Sequence, residues 1–74
     1  MSRKITYRVQ LPNGTCATRK SHRHYSHAVI GKRMGGDWHA ASYCGDYRKA
    51  QVRLAEFKRY DNGDWRIVSV EVMP

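Results

Sequence analysis

The residues of this chain that could ligate a metal or attack a carbon centre are four histidines and two cysteines: His22, His24, His27, His39, Cys16 and Cys44. Zinc sites pair their ligands as Cys-x2-4-Cys or His-x3-5-His, so that one turn presents two donors to one ion. Here His22-x-His24 and His24-x2-His27 miss those spacings, and no Cys-x2-Cys occurs. A strand through residues 25–33 would also send His24 and His27 to opposite sides. No metal and no cofactor is expected. Cys44 with His27 or His39 would be the thiol–imidazole pair of a nucleophilic enzyme, and Asp37 with His39 could polarise a water. Nothing in the spacing selects these pairs, and a fold this small has little volume with which to exclude water. The expectation is a protein that is not an enzyme. The two cysteines read as free, partly buried thiols.

A different chemistry is carried by Arg19-Lys20-Ser21-His22-Arg23-His24-Tyr25, the most polar run of the chain. Arg and Lys neutralise phosphates and release their counterions, while Tyr and His stack on unpaired bases. Lys4 and Arg8, on the outward side of a first strand, and Lys32 and Arg33 would extend this surface. The candidate binding residues are therefore Lys4, Arg8, Arg19, Lys20, His22, Arg23, His24, Tyr25, Lys32 and Arg33. No helix-turn-helix, aromatic RNA-binding strand motif or zinc finger accompanies them.

The charge is segregated along the chain. Of a formal net charge of +8, residues 1–36 contribute eight cations and contain no Asp or Glu. Residues 37–74 balance six cations, Arg48, Lys49, Arg53, Lys58, Arg59 and Arg66, against six carboxylates. If the acid-free residues gather on one surface, their field speeds encounter with polyanions or acidic protein patches.

Several elements must position these groups. Ile5, Tyr7, Val9 and Leu11 alternate with Lys4, Thr6, Arg8 and Gln10, the period of a half-buried strand. Pro12-Asn13-Gly14 is a turn, and Thr15–Thr18 starts a return strand. Residues 19–24 fit the far end of that hairpin, a bulge or a loop. A strand over Tyr25–Arg33, a turn at Gly35-Gly36-Asp37 and a strand over Trp38–Tyr43 make a second hairpin. Asp46 reads as the N-cap of a helix from Tyr47 to Tyr60. Tyr47, Ala50, Leu54 and Phe57 form its apolar stripe, and Arg48, Lys49, Arg53 and Arg59 lie on a solvated face. Asn62-Gly63 would end the helix through a left-handed residue. Trp65–Met73 is a last strand, with Val68, Val70 and Val72 on one face. Trp38 and Trp65 read as packing residues.

The predicted fold class is α+β: one domain over residues 1–74, in the order β-β-β-β-α-β, with a small antiparallel sheet and one amphipathic helix packed on one face. The other face is left for solvent or a partner, and the open edges admit a homodimer. No apolar run approaches the roughly 20 residues of a membrane span, and no apolar segment follows the basic Met1-Ser2-Arg3-Lys4. A cytoplasmic protein is expected.

The run Thr18-Arg19-Lys20-Ser21-His22-Arg23-His24-Tyr25-Ser26-His27-Ala28-Val29-Ile30, followed by Gly36-Asp37-Trp38 and the helix of residues 46–57, resembles short bacteriophage-encoded proteins, chiefly of actinobacterial phages. The likeness covers about half of the chain. That group has no established activity, so no residue inherits a role. The resemblance implies a host-cell cytoplasmic setting and binding to host proteins or nucleic acid. Two functions follow as expectations. One is a basic, non-catalytic protein that binds nucleic acid through its N-terminal half. The other is an accessory or inhibitor protein that docks on an acidic surface of a host protein, in the transcription, replication or defence machinery.

Overall fold

Alternation in the first eleven residues and an Asn-Gly turn produce a hairpin, the first of two in the fold. The computed structural model describes residues 3–32 and 36–73. Strand β1 (Ile5–Gln10) pairs antiparallel with β2 (Cys16–Ser21). The turn between them places Gly14 at φ 89°, where a β-carbon would be strained. The Asn13 carboxamide oxygen accepts from the Thr15 amide at 3.1 Å and from its hydroxyl at 2.7 Å, which fixes the turn locally. The chain then forms β3 (His27–Lys32), β4 (Trp38–Cys44), α1 (Tyr47–Tyr60), β5 (Asp64–Ser69) and β6 (Glu71–Met73). The class is α+β, and the described strands lie in two antiparallel three-stranded sheets, ordered β2-β1-β6 and β4-β3-β5.

The second sheet is the middle layer. Along β3 successive side chains alternate between faces. Ala28 and Ile30 join Val9 and Leu11 of the first hairpin in one core. Val29 joins Cys44, Ala50 and Trp65 beneath the helix in the other. The expected solvated or partner-covered face is therefore covered by the chain's own first hairpin. The reason lies at Val70, where the expected last strand breaks. The Val70 amide donates to the Ser26 carbonyl at 3.0 Å, so the chain leaves one sheet and enters the other. Here β5 flanks β3, and β6 flanks β1. The crossing also separates the three valines read as one face: Val68 and Val70 pack on the inter-sheet core, whereas Val72 is 63% exposed.

The helix begins as its sequence dictates. The Asp46 carboxylate accepts from the Lys49 amide at 2.7 Å, a cap worth about 1 kcal/mol. Ala50 is fully buried, Leu54 and Phe57 are half-buried, and Tyr47 is exposed at the stripe's start. Its end differs from expectation. The cap is Asp61 in an extended conformation (φ −145°), and Gly14 is the sole glycine at positive φ among the described residues. The Asp61 carboxylate accepts from the Gly63 amide at 2.8 Å, and its carbonyl accepts from the Trp65 indole at 3.2 Å. An Asx turn and an indole bond thus do the work that a left-handed glycine would have done.

Trp65 is the anchor of the helix side. Its ring stacks on Phe57 with centroids 4.8 Å apart and planes 9° apart. It pairs across the ladder with Gly31, where a β-carbon would fall 2.2 Å from the ring. Glycine at 31 is what lets the indole lie across β3.

Candidate functional site

The polar run divides where one sheet gives way to the other. Arg19, Lys20 and Ser21 finish β2, and residues 22–26 form the crossing to β3. Besides the Val70 amide on the Ser26 carbonyl, further bonds pin that crossing. The Tyr7 hydroxyl donates to the Arg23 carbonyl at 2.8 Å, the Arg23 amide to the Ser21 hydroxyl at 3.1 Å, and the Ser26 amide to the Cys44 carbonyl at 3.0 Å. The Ser26 hydroxyl adds a bond to the Gly45 carbonyl at 3.1 Å, which ties the crossing to the junction of β4 and α1. His27 stands beside this clamp, its Nδ1 at 2.8 Å from the Ser26 hydroxyl and its ring 5.3 Å from that of Tyr47.

Tyrosines line up behind the crossing. Tyr25 lies 5.2 Å from buried Tyr7 and 5.6 Å from Tyr43, centroid to centroid. The Arg19 guanidinium sits 5.7 Å from the Tyr25 ring centre and 5.6 Å from that of Tyr43. Its position follows from register: Arg19 pairs with Tyr7, so it shares the inner face of the first sheet. The Tyr43 hydroxyl is buried without a hydrogen-bond partner among the described residues. Burial raises its pKa above the ordinary value, and the Arg19 charge partly opposes that.

These residues flank a groove of about 530 Å³. Arg23, His24 and Tyr25 of the crossing form one side, and Tyr43, Cys44 and Gly45 carry it along the open edge of β4. The helix supplies Lys49, Val52, Arg53 and Glu56. Spacings of three and four put these four on one stripe. Arg53 pairs with Glu56 at 3.2 Å, an exposed contact worth well under 1 kcal/mol. Neither Arg23 nor Lys49 has a carboxylate partner among the described residues. A shallower cavity of about 360 Å³ lies at the first hairpin's turn, by Pro12, Ile30 and Val68. Its one cation, Arg66, rests 5.0 Å from the Trp38 ring centre.

The predicted binding residues do not form one surface. Arg23, His24 and Tyr25 reach the groove. Arg19 backs its tyrosines without lining it. Lys20 is exposed and pairs with Thr6, on the face of the first sheet turned away from the core. Lys4 and His22 are exposed near the same end of that hairpin. Arg8 is bound to Glu71 of β6, which raises its pKa through a hydrogen bond and direct charge attraction. Lys32 stands at the other end of β3, opposite Trp38 and Asp64. Arg33, with Gly35 of the expected turn, lies outside the described residues. Lys49 and Arg53, read as a solvated helix face, are the cations that sequence reasoning left out of the site. Their i, i+4 spacing around Val52 puts them on one stripe of the helix but does not mark that stripe as a groove wall.

Both cysteines are free thiols, Cys44 buried and Cys16 exposed rather than partly buried. Among the described residues no three of His, Cys, Asp or Glu gather where a metal could be held, and no helix is long and apolar enough to cross a membrane. Compared with protein-family models, with curated proteins and with solved structures, the chain matches none of them.

Proposed function

We propose that this protein is a non-catalytic binding module for an anionic partner, most simply nucleic acid, and that the groove beside the sheet crossing is its contact surface. The observation that carries this reading is convergence. Arg23 and His24 from the acid-free half meet Lys49 and the Glu56-paired Arg53 from the helix along one groove, which Tyr25 and Tyr43 also line. Phosphates are the simplest ligand for cations so grouped, because each neutralised phosphate releases condensed counterions. A net charge of +8 adds a long-range attraction that brings such a ligand in.

The test is salt. Fluorescence anisotropy of labelled DNA and RNA oligonucleotides, single- and double-stranded, should give affinities that fall linearly with salt on logarithmic axes. Contacts from Arg23 and Lys49, with Arg53 held by Glu56, set a slope of about −1.4 to −1.8. Failure of every oligonucleotide to bind at low salt would falsify the nucleic-acid reading.

One observation favours a second reading. The groove runs along β4, an edge strand of its sheet. An extended segment of an acidic host protein could add to that edge by main-chain hydrogen bonds, with its carboxylates facing the same cations. Capture of one host protein from lysate, resistant to nuclease and only weakly salt-sensitive, would favour this docking mode.

A further inference from the structure

Four described strands form the sheet edges: β2 and β6 of the first sheet, β4 and β5 of the second. An open edge invites another strand, and proteins discourage this with charged side chains or by keeping the edge short. β2 carries Arg19 and Lys20, β5 carries Asp64 and Arg66, and β6 has three residues, one of them Glu71. β4, Trp-His-Ala-Ala-Ser-Tyr-Cys, has seven residues and no Asp, Glu, Lys or Arg. Its bulge does not close the edge but restricts what can pair with it. The register of β3 against β4 skips Ala41. In an unbroken strand residues five apart point to opposite faces. Here Trp38 and Tyr43 both pack on the inter-sheet core. His39 and Ser42 share the helix face: His39 meets Trp65 edge-on, and Ser42 pairs with Val29.

That pattern matches itself. Set a copy of β4 antiparallel to the first about a two-fold axis between Ala40 and Ala41. Trp38 then lies opposite the partner's Tyr43, and His39 opposite the partner's Ser42, like face on like face. The next pair outward is Cys44 with the partner's Asp37. Asp37 is exposed, with no cation partner among the described residues. Cys44 lines the groove with Arg23 and Lys49, which lack a carboxylate. The helices leave room for this pairing. α1 packs across β3, β4 and β5, and three strand spacings, about 14 Å, would separate β3 from its copy. A helix is about 10–12 Å wide.

We propose that a second copy of this chain adds to the β4 edge, making one continuous six-stranded sheet about a two-fold axis, with the partner's Asp37 supplying the carboxylate that Arg23 and Lys49 lack. The two-fold axis forms this contact twice. A foreign acidic segment would meet the cations alone, whereas the second copy meets register, faces and charge together. The interface stands apart from the nucleic-acid reading; where that reading holds, oligonucleotide and second copy compete for the groove.

The experiment uses the full chain without oligonucleotide, at about 0.15 M salt, which screens the repulsion between two chains of net charge +8. Sedimentation from about 10 µM to 1 mM should show monomer giving way to dimer. Amide hydrogen exchange should slow in β4 as concentration rises, and not in β2 or β5. Asp37→Lys should weaken dimerisation at least about 10-fold, because it sets like charges together. Adding Lys49→Asp to that variant should restore it to within about 3-fold, since the pair is rebuilt with its charges exchanged. Both positions are exposed, so circular dichroism should be unchanged. A monomer throughout the range, protection on a different edge, or dimerisation indifferent to Asp37→Lys overturns the proposal. A poly-glutamate peptide that protects β4 while the chain alone stays monomeric assigns the edge to a foreign acidic segment instead. Failure of every oligonucleotide to bind removes the proposed function and leaves the dimer standing.

Discussion

Arg8 and Arg23 belong to the same acid-free stretch of sequence and end in opposite circumstances. Arg8 stands on the outer face of the first sheet, where β6 brings Glu71 against it. Arg23 stands in the sheet crossing, its backbone held by Tyr7 and Ser21, with no carboxylate partner among the described residues. A cation's availability is thus decided by which strand the topology lays beside it, not by the charge of its own segment. Among the described residues Glu71 reaches Arg8, whereas in the groove Glu56 reaches Arg53 and leaves Arg23 and Lys49 without a carboxylate.

The sharpest way to break this contrast is charge reversal on the groove. Arg23→Glu, Lys49→Glu and Arg53→Glu together should lower oligonucleotide affinity on the order of 100-fold at low salt, with an unchanged circular dichroism spectrum. Retained affinity would mean that the groove is not the contact surface.

Arg19 tests the boundary between the two classes, since it supports the site without entering it. Arg19→Met should cost about 1 kcal/mol of stability, the scale of an exposed cation–π contact, readable in urea titration. It should also raise the pKa of Tyr43 further, because only burial then acts on it. A folded-state pKa above the unfolded one means that the folded chain holds its proton more tightly. Stability is therefore retained below the ordinary value of 10.0 and lost as pH climbs through the higher folded value. Spectrophotometric titration of tyrosine in the parent and in Tyr43→Phe assigns the group; a parent with no late-titrating tyrosine would contradict this.

Arg8→Gln should do least. Its ion pair is fully exposed and screened by solvent, so stability should hardly change, and oligonucleotide affinity should stay within about 3-fold of the parent, since this guanidinium is already neutralised. A loss matching that of the groove variant would erase the distinction.

How far the sequence could be read depends on whether each signal is local. The alternation of Ile5, Tyr7 and Val9, the Asn13-Gly14 turn and the Asp46 cap are complete within a few residues, and the structure has all three. The helix occupies Tyr47–Tyr60 as its spacing indicated. Other features depend on distant partners. The β-branched residues Ile67, Val68, Val70 and Val72 favour extended backbone but do not say which sheet receives it, so the break at Val70 was invisible. Asn62-Gly63 offers a left-handed stop, but the indole of Trp65 reaching back to Asp61 set another. Of the candidate site, Arg23, His24 and Tyr25 were legible as a basic aromatic run. Lys49 and Arg53 were not, because a cation on a solvated helix and one on a groove wall have the same sequence pattern until the neighbouring loop is placed.

The switch at Val70 also governs when the molecule can assemble. Arg8 and Glu71 are 63 positions apart, so β1 cannot gain its second neighbour until almost every other residue described here has been synthesised. A nascent chain emerging from the ribosome would carry its first hairpin with one edge open and its inner face uncovered. Pairings so distant in sequence make for slow closure. The interval before β6 arrives is when this polypeptide would be most exposed to proteases, chaperones and unwanted strand partners.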